Sequence, residues 1–282
     1  MLRAKLPQQV PKRLKLLLYG PAGVGKTMAA VQMPVPYVLD CERGTDHYGE
    51  IVKQSGGAVF QTVDVDELIS ELRALLADQH EYRTLVIDPI TTVYDDLLAK
   101  CEQKVGTQFG RHYGMANTQM KRLINLVTAL DMNVIITAHA KAVYGENLRV
   151  LGQTFDGWKR LDYMFDLVLE LERRGQKRIA KVVKTRIAAF PDGDEFEWSY
   201  DAIADRYGRD ILEKQAGTVQ LATSEQVARL KTLLAQISEE EQQRLRIDKA
   251  LAGVADMADL PAERICKGIE LLERHLGQTA TN

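Results

Sequence analysis

Short apolar, β-branched runs recur along the first two thirds of the chain, at Leu14–Tyr19, Tyr37–Leu39, Leu85–Ile87, Val134–Thr137 and Leu167–Leu171. Helix-compatible stretches separate them, and this alternation predicts crossover units and a mostly parallel sheet covered on both faces. Two later runs, Ile179–Val183 and Phe196–Tyr200, flank Pro191-Asp192-Gly193-Asp194, whose turn chemistry predicts that they extend the sheet as antiparallel strands. The pattern changes at Gln215–Ala222, a stretch of small and polar residues, and becomes helical beyond it. Thr223 with Gln226 and Ser238 with Glu241 have capping-box spacing. Ile265, Ile269, Leu272 and Leu276 form one stripe, with Pro261 near its start and Gly277 after its end. The expected organisation is an α/β domain over 1–215, a linker at 216–222, a small bundle of about three helices over 223–277, and a tail at 278–282. Neither internal repeats nor low-complexity segments occur.

With 282 residues and 45% hydrophobic content, the chain can bury one large core and a small appendage, which excludes a disordered or fibrous protein. The formal charge of −2 advertises no nucleic-acid partner globally, so a basic face has to be found locally. Cys41, Cys101 and Cys266 are odd in number and too far apart for a metal knuckle, which suits a reducing cytosol. The early apolar run Leu14–Tyr19 is interrupted by Lys15 and is too short for a signal-peptide core or a bilayer span. A cytoplasmic protein without a membrane partner is expected.

Gly20-Pro21-Ala22-Gly23-Val24-Gly25-Lys26-Thr27 fits the phosphate-binding loop pattern in full, with an apolar strand before it and a helix-compatible stretch after it. Such a loop aims backbone N–H groups at phosphate oxygens, Lys26 neutralises the β and γ phosphates, and the Thr27 hydroxyl ligates Mg²⁺. ATP and Mg²⁺ are therefore the expected ligands, with Gly20 to Thr27 and the adjoining Met28 as the nucleotide-binding set. A second metal anchor is expected at Asp88, the carboxylate that ends the apolar run Leu85–Ile87; the bland alternative is a plain strand-ending acid. Glu42, in Asp40-Cys41-Glu42 at the carboxyl end of Tyr37–Leu39, is the candidate base that orients water, against the alternative of a solvated loop acid. His139, at the end of Val134–Thr137, is placed to touch the γ phosphate, or else is merely structural. No other histidine has metal-ligand spacing.

Two segments carry cations beside stacking rings. Lys104 to Arg122 holds Lys104, Arg111, Lys121 and Arg122 without any acid, interleaved with Phe109, His112 and Tyr113. Lys141 to Arg160 holds Lys141, Arg149, Lys159 and Arg160 against Glu146 and Asp156, with Tyr144 and Trp158. Both are expected as loops at the ligand edge of the sheet, suited to single-stranded DNA, or otherwise as ordinary mobile surface. Phe109, Arg111, Tyr113, Lys141, Arg149 and Lys159 are the candidate DNA-binding residues.

Val182-Val183-Lys184-Thr185-Arg186-Ile187-Ala188-Ala189-Phe190-Pro191 resembles the strand and turn of bacterial RecA, and Asp40-Cys41-Glu42 resembles that family's Asp-x-Glu element. The resemblance implies a RecA-like P-loop fold in which Lys184 and Arg186 reach the ATP of a neighbouring protomer, so that hydrolysis depends on assembly into a filament or ring. Together with the short start, Tyr-Gly-Pro-Ala-Gly-Val-Gly-Lys-Thr and the late Lys-Thr-Arg, the order of motifs over about 14–200 is similar to compact phage recombinases of the fourth Sak group. That likeness implies an ATP-assisted recombinase that binds single-stranded DNA and promotes annealing or pairing, often alongside a single-strand binding protein. Two readings compete: a ring helicase of the DnaB type, against which the expectation of no primase-binding or amino-terminal collar domain counts, and a non-enzymatic adaptor whose surface is ordered by ATP.

Overall fold

The computed structural model describes residues 12–245, 247, 251 and 254–279; the chain start and the last three positions of the expected tail lie outside the described residues. Nine strands occur among the described residues: β1 (Lys15–Gly20), β2 (Pro36–Asp40), β3 (Ala58–Gln61), β4 (Thr84–Asp88), β5 (Asn133–Tyr144), β6 (Val150–Phe155), β7 (Leu167–Arg174), β8 (Lys177–Thr185) and β9 (Glu195–Glu197). They join in the order β3-β2-β4-β5-β1-β7-β8-β9, with β6 paired to β5 off this path. The first six are mutually parallel, and β8, β9 and β6 pair antiparallel, so the fold is the expected α/β class with a mostly parallel central sheet.

All six residues of β1 are buried because it lies between β5 and β7 and is covered on both faces, which is why its sequence is a continuous run and not an alternation. Lys15 fits within that run by donating from Nζ to Met132 O at 3.0 Å, and burial lowers its pKa to about 7. The main core packs Leu16 and Leu18 of β1, Ala29 and Ala30 of α1 (Lys26–Val31), and Leu169, Val182 and Trp198. Arg13 closes this part of the chain: its guanidinium binds Asp131 at 3.0 Å and the carbonyls of Ile211, Lys214 and Gln215 at 2.6–2.8 Å.

The pattern missed β3 and β6 for physical reasons. Residues of β3 alternate between half-buried and exposed over four positions, and most of β6 is exposed, so neither forms an apolar run. The expected strand Phe196–Tyr200 is shorter: Ser199 accepts from Ala202 N at 3.0 Å and starts a helix at Tyr200.

Contacts divide the chain into two compact units, one of residues 12–63, 81–96 and 131–216, the other of 64–80, 97–130 and 217 onward. The second contains α3 (Val65–Ala77) and α5 (Arg111–Ala129), while α2 (Gly49–Gln54) belongs to the first and α4 (Ile90–Val105) contributes residues to each. Both capping boxes expected near the carboxyl end form, at Thr223 and Ser238. The helix bearing the Ile265 stripe spans Ala262–Thr279 and continues through Gly277. The helices that the sequence sets apart at 223–277 share their unit with α3 and α5. Arg73 and Arg122 each reach Asp259 at 2.6 Å, and Val219 N donates to Leu76 O at 2.7 Å, within the segment expected as linker.

Candidate nucleotide-binding site

Chain direction sets the site, since parallel strands present their carboxyl ends to one crevice. β1 ends at Gly20, β2 at Asp40, β4 at Asp88, and β5 passes this level at His139, which pairs with Gly20. A methyl group on Gly20 would lie 2.4 Å from Leu171 O, so the loop can leave the strand here only without a side chain. The chain then turns through Gly23 and Gly25, both at positive φ, and enters α1 at Lys26.

Lys26 curls back on its own loop, donating from Nζ to the carbonyls of Gly20 and Pro21 at 2.9 and 3.0 Å. Burial lowers its pKa, opposed by the charges of Asp88 and Glu42. Thr27 Oγ1 donates to Asp88 Oδ2 at 2.6 Å, and the Thr137 hydroxyl donates to the other carboxylate oxygen. Burial raises the Asp88 pKa, and these two hydrogen bonds pull it down. Two oxygen donors in contact at a phosphate loop suit Mg²⁺, which takes few protein carboxylates together with substrate phosphates.

Asp40 and Glu42 have separate tasks. Buried Asp40 accepts from the N–H groups of Glu42, Gly44 and Thr45 at 3.0–3.2 Å and from the Thr45 hydroxyl, which shapes the loop that carries Glu42. Glu42 keeps a half-exposed carboxylate in the cleft, receives a hydrogen bond from the Thr92 hydroxyl, and meets His139 Nε2 at 3.3 Å. Asp40 thus spends its carboxylate on the loop backbone, whereas Glu42 leaves its own in the cleft.

A cleft of about 270 Å³ gathers these groups, lined by Ala22, Gly23, Gly25, Lys26, Thr27, Glu42, Asp88 and His139. Gly20 and Pro21 contribute their carbonyls to Lys26. Val24 is buried in the core and Met28 packs against it, so neither faces the cleft. Tyr48 and Arg178 also line it and were not foreseen. A tyrosine beyond a strand end and an arginine beside Gly175 carry no pattern until the neighbours of β1 are known.

Lys184 and Arg186 lie at the other end of the sheet. Lys184 pairs with Val168, which is level with Leu17, and the adjoining Thr185 pairs with Leu167, level with Leu16. Lys184 Nζ donates to the carbonyls of Asp162 and Phe165, and burial followed by the charge of Arg186 lowers its pKa. Arg186 pairs with Asp166 at 3.3 Å and donates to Tyr163 O at 3.0 Å. The two cations stand together and away from their own phosphate loop.

The expected DNA loops are not loops. Lys104 to Arg122 is helical: the end of α4, a single turn at Gln108–Gly110, and most of α5. Gly106 and Gly110 bracket the short turn, where Phe109 adopts φ 54° and is 96% exposed, while Gly114 lies within α5. Tyr113 is half-exposed, whereas His112 is buried against it and Arg122 is engaged by Asp256 and Asp259. Lys141 to Arg160 is chiefly the β5–β6 hairpin, because β5 continues to Tyr144 and β6 returns along it. Arg149 and Lys159 are exposed, Lys141 is paired with Asp156 at 2.9 Å, and Trp158 is only 6% exposed, a packing residue and not a stacking platform. Among the described residues no helix is long and apolar enough to cross a membrane, and no three acidic, histidine or cysteine side chains cluster as metal ligands.

A family model, AAA_24, described as an AAA domain, matches residues 12–190. Similar solved structures include the RadB recombinase, at 18% identity over 65% of this chain and 86% of that chain, with a TM-score of 0.44. A DnaB-like replicative helicase, solved with its interactions with primase, is 14% identical over 66% of this chain and 55% of that one, with a TM-score of 0.43. No curated protein matches the sequence.

Proposed function

We propose, for a chain that belongs to the AAA_24 family of AAA domains, that it is a Mg²⁺-dependent ATPase acting on single-stranded DNA in recombination, as an annealing or pairing protein of the phage type. The observation that carries the reading is one cleft that holds Lys26, the Thr27–Asp88 contact at 2.6 Å, and the Glu42–His139 pair. Thr27 and Asp88 would hold Mg²⁺, which when bound supplies charge neutralisation to the β and γ phosphates. Lys26 releases its two loop carbonyls in favour of phosphate oxygens. Glu42 takes a proton from water as the water oxygen bonds to the γ phosphorus; the bond to the β,γ-bridging oxygen breaks, giving ADP and phosphate.

His139 connects the Glu42 carboxylate to β5, and β5 runs on into the hairpin that carries Lys141 and, beyond a register shift at Val143/Tyr144, Arg149. Strand movement at the hairpin therefore changes the seating of the base, which makes turnover responsive to DNA. The level of Lys184 and Arg186 on the sheet supports their action on a neighbour's nucleotide in a filament or ring, where cations supplied in trans stabilise transition-state charge. A single-strand binding protein is a further expected partner.

The test is steady-state ATP turnover with Mg²⁺, with and without single-stranded DNA, alongside strand annealing and duplex unwinding. DNA-stimulated turnover with annealing and no unwinding is expected. Turnover with unwinding would instead favour the helicase, and no turnover at all would favour the adaptor.

A further inference from the structure

Arg178 enters the cleft from a strand that the phosphate-loop pattern does not include. It lies on β8, opposite Arg173 of β7, in the hairpin that turns at Gly175. Since Tyr19 pairs with Glu170, Arg173 and Arg178 stand beyond the end of β1, at the height of the phosphate loop. The guanidinium rests directly on that loop: a methyl group on Gly25 would lie 2.1 Å from Arg178 Nε. This Nε is buried and has no hydrogen-bond acceptor among the described residues, an unusual state for a donor that water cannot satisfy.

The charge balance of the cleft gives that donor a task. Lys26 and Arg178 face Glu42 and Asp88, so the lining is formally neutral before any ligand arrives. A nucleoside triphosphate brings several negative charges, and Lys26 is the only other lining cation of fixed charge among the described residues. An arginine presents a planar fork that matches phosphate oxygens and keeps its charge in any protein environment.

We propose that Arg178 is a nucleotide-binding residue acting in cis, which holds the phosphates from the side of the cleft opposite Asp88 and Glu42. The inference rests on the nucleotide-site reading above and adds a ligand group to it. It also assigns β8 two cationic ends: Arg178 for the subunit's own nucleotide and, six residues along, Lys184, with Arg186 just past the strand, for a neighbour's. At about 3.3 Å per residue the two ends are roughly 20 Å apart, so no single nucleotide meets both on one chain.

The experiment is Mg²⁺-dependent binding of a fluorescent ATP analogue to wild type, R178K, R178Q and K26A, with the melting temperature of each measured without nucleotide. R178Q should bind at least tenfold more weakly and R178K should fall between it and wild type, while all melt as wild type does. R178Q binding within twofold of wild type, while K26A loses the analogue, overturns the role of Arg178 and leaves the nucleotide site standing. A binding loss that merely follows a fall in melting temperature overturns it too, since packing on Gly25 would then be its whole contribution. Retained binding in K26A defeats the nucleotide-site reading itself.

Discussion

The phosphate cleft and the exposed cation-and-ring segments are built on different terms. In the cleft, Arg178 Nε aside, the charged groups are held by neighbours: Lys26 by two carbonyls, Asp88 by two hydroxyls, Glu42 by Thr92 and His139. In the exposed segments the rings of Phe109 and Tyr144 and the cations Arg149, on the β5–β6 hairpin, and Lys159, just beyond it, stand in solvent. Preorganised charge in a partly desolvated site is worth orders of magnitude in rate, whereas exposed contacts to a flexible strand contribute in small additive steps. The contrast therefore predicts how steeply each region responds to a single substitution.

The largest effect is expected at the third set, Lys184 and Arg186. If these cations complete a neighbour's cleft, alanine at either lowers turnover of the assembled protein by about 10³ or more, the scale of a charge supplied in trans. Nucleotide affinity of isolated subunits should stay near wild type, and mixing with Glu42→Gln should restore some turnover through hybrid interfaces. No rescue, with mixed assembly confirmed, would confine catalysis to one chain. Asp88→Asn comes next: it removes the carboxylate partner of Thr27, and turnover measured across a Mg²⁺ titration should fall by about 10² at least, with little recovery at high Mg²⁺.

Smaller steps belong to the exposed segments. Phe109→Ala or Tyr113→Ala should weaken single-stranded DNA binding by about 1–3 kcal/mol per stacked base, read by fluorescence anisotropy, with the salt dependence unchanged. Arg149→Ala should flatten the slope of log affinity against log salt by roughly 0.7. Lys141→Ala should flatten it less, because Asp156 already neutralises that ammonium. Equal effects at Arg149 and Lys141 would show that the ion pair opens on binding.

The same contrast explains what could be read from the chain alone. The loop from Gly20 to Thr27 was legible because its function demands fixed spacing on a local backbone, and β1 and β4 were legible because burial on both faces forces continuous apolar runs. Arg178 was not, because its place depends on β7 being the neighbour of β1, a long-range pairing without a local signature. The DNA segments were found by composition, and composition does not specify backbone. Acid-free glycine-bearing sequence reads as loop, yet Ala116, Met120, Leu123 and Ile124 supply a buried face that makes α5 a helix. In the hairpin the exposed half of β5 and most of β6 are held by the antiparallel ladder between them, which leaves no hydrophobic trace.

The account rests most heavily on Glu42 as the group that activates water in a cleft that binds Mg·ATP independently of it. Glu42→Gln keeps the side chain's size and its reach to Thr92 while removing its basicity, so binding and hydrolysis can be measured on one protein. Binding of a fluorescent ATP analogue should stay within a few-fold of wild type while single-turnover hydrolysis slows by about 10² or more. Hydrolysis at the wild-type rate with intact binding would contradict the assignment and place the water-activating group elsewhere in the cleft.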